Sequence, residues 1–271
     1  MSQLEEQLGI NFDLYSALIV WALVFTRAFV MLLLNPFLGS KGVPGRVRLL
    51  VAGIIAVYVY FLLGEHVADN LPTDKGLLIA LFFKEIFFGM VIGLATVMTF
   101  YAVDAAGRIV DNQRGSANAQ IFIPQLGQVS LFGLFEFQLG LSFFLSTGGH
   151  VIFLKAFLES YTIMPVLTFP TLAPGISPFM ELLIRMSADV LILGMQLSAP
   201  VLIAIFITDV VLGLANKMAP QIPVFELGFM IKGYVGVAMV WISILTLISQ
   251  MDVFFNLMQK NTLRMIHFFA S

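Results

Sequence analysis

Three ionisable residues recur at every fourth position inside one apolar segment of this 271-residue chain: Glu181, Arg185 and Asp189. Residues four apart lie on one face of a helix and can neutralise each other. The same side chains could instead bind a neighbouring subunit or relay ions or protons, because charges inside membrane segments usually face protein or water. The pattern leaves these three uses open.

Further charges interrupt other apolar segments. Asp209 and Lys232 have no partner four residues away, which favours contacts between helices or between subunits. A charge at the centre of a lipid-exposed helix costs about 2.5 to 3.5 kcal/mol. The helices are therefore expected to face protein or water over part of their length. The remaining candidates for intramembrane or inter-subunit charges are Arg27, Lys84, Glu85 and Glu136.

The longest polar passage of the chain is residues 111–125. It begins with the motif Asp111, Asn112, Gln113, Arg114 and Gly115. It then contains an apolar tip, Ile121, Phe122 and Ile123, followed by Pro124. An apolar tip among polar residues could close a passage, since a hydrophobic constriction excludes water. It could equally belong to an interfacial loop whose Phe122 dips into lipid.

Composition narrows the class of protein. Hydrophobic residues make up 59% and charged residues 11% of the chain, whereas soluble domains are typically about 25% charged. This indicates a membrane protein. The net charge of −2 and the scattered cations argue against nucleic-acid binding. With no cysteine and no recognisable catalytic motif, neither an enzyme nor a cofactor or metal site is predicted.

Hydropathy predicts an all-α membrane protein. The seven apolar segments lie at about 14–39, 47–64, 76–103, 126–147, 149–169, 179–214 and 225–258. The third, sixth and seventh are the longest, and each exceeds the roughly 20 residues that one crossing needs. We expect a single domain over residues 1–271, with a retained acidic stretch at 1–13 and a loosely attached C-terminal end at 259–271.

The distribution of cations bears on topology. Loop 40–48 carries three cations and is predicted to lie in the cytoplasm. Lys217 and the pair Lys260 and Arg264 also favour the cytoplasmic side, but one crossing by segment 225–258 cannot place both there. We therefore expect long helical hairpins, some of which do not cross the bilayer.

Gly89 and Gly93 form a GxxxG motif in the third segment. Such a pair lets another helix backbone approach closely, although the motif is also common by chance in membrane segments.

Several motifs, in order along the chain, resemble the FliR/SctT family of type III secretion export-gate subunits. They are Arg27 to Pro36 with Val43-Pro44, Ala106-Gly107 with 111–115, Gly148-Gly-His150, Ala199-Pro200 with Asp209, 212–216, and 219–225 with Lys232. Their shared order covers nearly the whole chain. The 111–115 motif resembles the injectisome branch (SctT, also called YscT, SpaR or HrcT) more than the flagellar branch.

The resemblance implies a non-enzymatic subunit of a helical export gate in the bacterial inner membrane, with much of the assembly displaced to the periplasmic side. Its implied partners are SctR-like and SctS-like (FliP-like and FliQ-like) subunits, an SctU-like switch protein, an SctV-like export ring, unfolded protein substrates and lipid. The resemblance also implies a channel plug from Gly115 to about Ser130, with Ile121, Phe122 and Ile123 as its stopper.

Two other functions remain open at this point. A stand-alone secondary transporter could use Asp209, Lys232 and the Glu181 face as a relay. A lipid-processing membrane enzyme is disfavoured because His, Asp and Glu residues are not clustered in the sequence.

Overall fold

The computed structural model describes residues 14–39, 43–63, 71–72, 74–115, 121–123, 127–170, 172–221 and 223–269. Within these residues lie seven helices and one two-stranded hairpin. In chain order they are α1 (Leu14–Leu34), α2 (Gly45–Leu63), α3 (Lys75–Gln113), β1 (Ile121–Ile123), β2 (Gly127–Val129), α4 (Leu131–Ser146), α5 (Gly149–Ile163), α6 (Leu172–Met218) and α7 (Val224–His267). The prediction of an all-α membrane fold is confirmed, apart from the short hairpin. The three segments predicted to be longest form helices of 39, 47 and 44 residues.

Among the described residues, five helices are long and apolar enough to cross a membrane: α1, α2, α3, α7 and residues Ile176–Met218 of α6. Helices α4 and α5 form a sixth candidate, either a broken span or a re-entrant loop, because the chain bends by 72° between them. Gly148 lies in this bend with a φ of 78°, a left-handed conformation that glycine adopts without a steric penalty. That some of the hairpins do not cross the bilayer stays a prediction.

The described residues cluster into two compact units. The first comprises those within Met1–Thr96, Phe153–Met180 and Asn261–Ser271, and the second comprises those within Val97–Ile152 and Glu181–Lys260. Each unit therefore combines ranges that are distant in sequence. The single domain over residues 1–271 stays a prediction.

Close packing of α1 on α3 organises the first unit. A Cβ atom on Gly89 would lie 2.6 Å from the carbonyl oxygen of Arg27, and one on Gly93 would lie 2.7 Å from Cβ of Leu34. The missing side chains let the two backbones meet, with Met31 and Ile92 fully buried nearby. The packing role of the GxxxG motif is confirmed.

The C-terminal end corrects the expectation of a loose attachment. Helix α7 continues to His267, and Met265 and Ile266 are fully buried. The ring of Phe269 packs against Phe87 and Phe179, with centroids 5.3 and 5.2 Å apart. The expectation of a loose end was wrong. The sequence did not reveal the contact because the aromatic partners of Phe269 lie far from it along the chain.

The second unit has an apolar core beside the start of α4. Val110 of α3, Phe132 of α4, Val201 and Ile205 of α6 and Val240 of α7 form one buried cluster. Gly107 of α3 lies directly against the backbone of Phe132, where a Cβ atom would collide. This close approach places the end of α3 beside the first turn of α4.

Replacing Gly89 with alanine tests the α1–α3 contact. Because the new methyl group would overlap the backbone of Arg27, we expect Gly89→Ala to lower the free energy of unfolding by about 1–3 kcal/mol. In Gly53→Ala on α2, the Cβ meets nothing within 4 Å, so this control should be neutral or stabilising by up to about 1 kcal/mol. The midpoints of thermal unfolding in detergent measure both effects. Equal midpoints for the two variants would contradict the packing described.

Candidate functional site

Asp111, in the last turn of α3, binds the beginning of α4. Its Oδ2 accepts hydrogen bonds from Ser130 Oγ at 2.5 Å and from the backbone N–H of Phe132 at 3.0 Å. Ser130 is the N-cap of α4, and its Oγ accepts from the N–H of Gly133 at 2.9 Å. The first N–H groups of a helix lack intrahelical partners and carry the positive end of its dipole. A carboxylate is therefore well suited to hold this terminus.

Arg114 completes this contact. Its Nη2 donates to Asp111 Oδ1 at 2.9 Å, and its guanidinium carbon lies 4.3 Å from the ring centroid of Phe132. We call Asp111, Arg114, Ser130 and Phe132 the neck. Asp111 and Ser130 are 19 residues apart in sequence and in contact. The segment between them therefore leaves the helices and rejoins them at the same point.

Gly115 follows the end of α3 and begins the segment that leads to the hairpin. Its φ of 75° is in the left-handed region, which favours glycine just beyond a helix C-terminus. Its N–H donates to the carbonyl of Asn112 at 3.1 Å. Asn112 and Gln113 are exposed at the end of α3.

Between the two sides of the neck, the chain forms an antiparallel hairpin. Ile121 is opposite Val129, Phe122 opposite Gln128 and Ile123 opposite Gly127. The sequence predicted a loop here, and strand pairing corrects that prediction for residues 121–123. Pro124 lies outside the described residues.

Glu136 of α4 is also in the second unit. Its side chain is 1% exposed, and no group within hydrogen-bond distance donates to its buried Oε2. Asp111 and Asp104 of α3 are close enough to repel a negative charge on it. Asp104 pairs with the half-exposed Arg108 at 2.7 Å.

A second buried polar cluster lies in the first unit around Arg27, which is fully buried. Its guanidinium pairs with both carboxylate oxygens of Glu85, at 2.5 and 2.9 Å. It also donates to the carbonyls of Ser160 and Met164 at 3.2 and 3.1 Å, and it stacks on Tyr161 at 4.1 Å from the ring centroid. Arg27 therefore joins α1 to α3 and to the C-terminal end of α5.

Lys84 extends the same cluster past the end of α5. Its Nζ lies 2.7 Å from Glu85 Oε1 and donates to the carbonyls of Pro165 and Val166 at 2.8 and 2.6 Å. Cations are favourable near the unpaired carbonyls at a helix C-terminus. Arg27, Lys84 and Glu85 thus find partners within this chain, where sequence alone left inter-subunit pairing open.

The remaining predicted charges lie nearer the surface. Arg185 and Glu181 pair at 2.6 Å within α6, with side chains 71% and 64% exposed. Among the described residues, none forms an ion pair with Asp189. Lys232 pairs with Asp209 at 2.5 Å between α7 and α6, which is a contact between helices. This pair lines a groove of about 490 Å³.

No group of three or more His, Asp or Glu residues in the described ranges has the geometry to hold a metal ion.

Sequence reasoning missed the role of two serines. Ser130 directly precedes the apolar run that begins at Leu131. A serine at such a position is a typical N-cap signal, so its capping role could have been predicted from the sequence. Ser160, whose Oγ accepts from Arg27 at 3.1 Å, carries no such signal because its partner is 133 residues away.

Comparison with known proteins gives consistent matches along most of the chain. A family model described as "Bacterial export proteins, family 1" matches residues 18–258. The Yop proteins translocation protein T of Yersinia pestis is 34% identical over 220 residues, which cover 79% of this chain and 82% of that protein. The flagellar biosynthetic protein FliR of Bacillus subtilis is 31% identical over 222 residues, covering 81% and 83%. The surface presentation of antigens protein SpaR of Shigella flexneri is 27% identical over 229 residues, covering 81% and 82%.

Neutralising Glu85 tests the buried cluster. Glu85→Gln leaves two buried cations without their counter-charge, and breaking a buried pair in this way costs about 3–5 kcal/mol. The matched control, Glu181→Gln, removes an exposed pair worth about 0–1 kcal/mol. We expect a large drop in the thermal unfolding midpoint of the detergent-solubilised protein for Glu85→Gln alone. Similar midpoints for both variants would show that the buried cluster contributes little stability.

Proposed function

Because the chain belongs to family 1 of the bacterial export proteins, we propose that it forms part of a channel through which unfolded proteins leave the cytoplasm, and that its hairpin closes this channel. The chain is a subunit of a secretion export apparatus. The resemblance to the FliR/SctT family is confirmed, and the similarity to the Yersinia protein fits the injectisome branch. The channel and the plug are the proposal.

The hairpin held by the neck is the observation that carries this proposal. A two-stranded hairpin alone is marginally stable in water, so a hairpin that acts as a closure needs an anchor. The Asp111 carboxylate supplies it by accepting from both Ser130 Oγ and the N–H of Phe132. Since Asp111 and Ser130 flank the hairpin, this one contact sets where it begins and ends.

The composition of the hairpin fits a closure. Residues 121–123 are all apolar and stand between polar stretches, and an apolar constriction blocks a pore by excluding water. The plug in this proposal runs from Gly115 to Ser130, with Ile121, Phe122 and Ile123 as the stopper. Asp111, Asn112, Gln113 and Arg114 are the helix end from which it extends.

Large apolar surfaces support assembly with other subunits. Phe61 of α2, Phe206 of α6 and Trp241 of α7 are 77%, 68% and 76% exposed, and such faces require either lipid or protein to cover them. We propose that SctR-like and SctS-like subunits cover part of this surface, with an SctU-like switch protein and an SctV-like ring as further partners. The proposed location is the inner membrane, with much of the assembly on its periplasmic side.

The secondary-transporter alternative is not adopted. Its relay would start from Asp209 and Lys232, but these two neutralise each other at 2.5 Å. Glu181 and Arg185 form an exposed pair of the kind that contributes little. No contact among the residues that the structure describes favours a relay over ordinary pairing.

Removing the hairpin tests the plug directly. Residues 116–129 are replaced by a short Gly-Ser linker, so that Gly115 and Ser130 remain. Because the neck and the helices are retained, we expect the gate to assemble with its partners and to leak ions. Copurification of the partner subunits measures assembly, and ionic current across a planar bilayer measures the leak. An assembled gate whose ion permeability equals that of the unmodified gate would rule out the plug.

Releasing the neck without shortening the chain is a second test. Asp111→Ala removes a carboxylate that accepts hydrogen bonds from Ser130, Phe132 and Arg114, and bonds to a charged group are worth about 1.5–3 kcal/mol each. We expect this variant to leak while Asp111→Asn, which keeps an acceptor oxygen, leaks less. Asp252→Ala serves as the control, because Asp252 is exposed and its side chain contacts Asn256 at 3.5 Å. Equal currents for the two alanine variants would mean that the neck does not hold the gate closed.

A further inference from the structure

The buried carboxyl group of Glu136 has no role in the function proposed above. Its side chain is 1% exposed, and its Oε2 is buried with no donor within hydrogen-bond distance. Within the described ranges, no cationic group lies within ion-pair distance of it. An ionisable residue inside a membrane helix is a candidate functional site unless a partner explains it.

The charged groups that face Glu136 lie on α3. Asp104 and Asp111 both repel a negative charge on Glu136. The arginines near them are already engaged, since Arg108 pairs with Asp104 at 2.7 Å and Arg114 with Asp111 at 2.9 Å.

The side of α4 that faces α7 offers no compensating charge. There, Gly140 of α4 lies beside Met251, with a built Cβ 3.6 Å from the methionine Cε. Phe144 of α4 packs on Phe255, with ring centroids 5.0 Å apart. The side chains in contact with α4 at these positions, Met251 and Phe255 of α7 and Val103 of α3, are thus apolar.

An ionised carboxylate in this position needs a positive ligand. Leaving a charge buried and unpaired costs several kcal/mol. The acidic groups of the described ranges do not converge in a metal-binding geometry. A lysine or arginine from another subunit would need a path to an oxygen atom that the chain already encloses. A proton can be delivered by a single transient water molecule, which needs far less room than a side chain.

We propose that Glu136 is a proton-binding site, whose carboxyl group carries a proton in the conformation with the neck closed. The protonated carboxyl adds no third negative charge beside Asp104 and Asp111, and it needs no counter-ion. A proton is the one ligand that is small enough for this enclosed position and also removes the repulsion from the two aspartates.

The position of the site connects the proton to the neck, a step that rests on the function proposed above. Asp111 holds the start of α4 through Ser130 and Phe132, and Glu136 lies about one and a half turns into the same helix. Ionisation of Glu136 places a like charge near Asp111 and favours separation of α4 from the end of α3. Loss of the proton therefore favours an open neck, and binding of the proton favours a closed one.

Infrared spectroscopy of the assembled gate tests the site itself. A protonated carboxyl shows a C=O stretching band that ionised carboxylates lack, so at neutral pH the exposed acidic residues do not contribute. We expect this band in the unmodified gate, its loss in Glu136→Gln, and its retention in Glu226→Gln, which removes an exposed acid at the start of α7. If Glu136→Gln instead removes an ionised carboxylate band, the proposal is wrong.

Assembly of the variant is a second criterion. Glutamine is an uncharged near-isostere of protonated glutamate, so we expect Glu136→Gln to copurify with partner subunits at the unmodified level. A loss of assembly, together with an ionised carboxylate band in the unmodified gate, would indicate a partner cation at this position and would overturn the proposal. A loss of assembly alone would also count against it.

The link to the neck is measured separately by ionic current against pH. We expect the leak of the unmodified gate to rise as the pH rises and that of Glu136→Gln to stay flat. An infrared band without pH-dependent current would keep the proton site and remove its link to the gate. Failure of hairpin deletion to cause any leak would remove the plug while leaving the infrared result intact.

Discussion

A charge inside an apolar, membrane-embedded chain must find its partner within protein, and this constraint accounts for both polar clusters. In the first unit, Arg27 and Lys84 share Glu85 and donate to the carbonyls at and beyond the end of α5. In the second unit, the Asp111 carboxylate instead binds a helix N-terminus, through the N–H of Phe132 at the start of α4. Both clusters therefore meet a helix end, where backbone groups are left without intrahelical partners. The buried charges of this chain are thus bonded to the ends of its helices.

Much of the helical framework could be predicted because its signals are local. Apolar runs indicated seven helices and identified the three long ones, the GxxxG spacing indicated that another helix could pack closely on α3, and the fourfold spacing indicated the Glu181–Arg185 pair. The contacts that build the sites are not local. Asp111 and Ser130 are 19 residues apart, and Arg27 and Ser160 are 133 apart, so no sequence spacing reveals them. The hairpin was missed because three-residue strands are too short to show alternation, and the buried C-terminal end because its aromatic partners lie far away in sequence.

The neck, the hairpin and Glu136 together form the proposed gate element, which is closed in the conformation described. Helix α3 ends at Gln113, and Gly115 turns the chain toward the hairpin. At Ser130 the chain enters α4, and the Ser130 hydroxyl donates to the carboxylate of Asp111. Because the same helix carries Glu136, the charge state of one buried carboxyl bears on the contact that closes the excursion. Membership of the export family provides the context in which such an element would control the passage of unfolded chains.

The central claim is that the hairpin lies on the path of the exported polypeptide, and chemical cross-linking to a stalled substrate tests it most directly. The chain has no cysteine, so Phe122→Cys provides a single reactive thiol on β1, and Tyr58→Cys provides one on the exposed face of α2. With a thiol-bearing substrate arrested in the assembled gate, we expect disulfide cross-links from position 122 and none from position 58. Absence of a cross-link from position 122, while the substrate is shown to occupy the gate, would contradict the account.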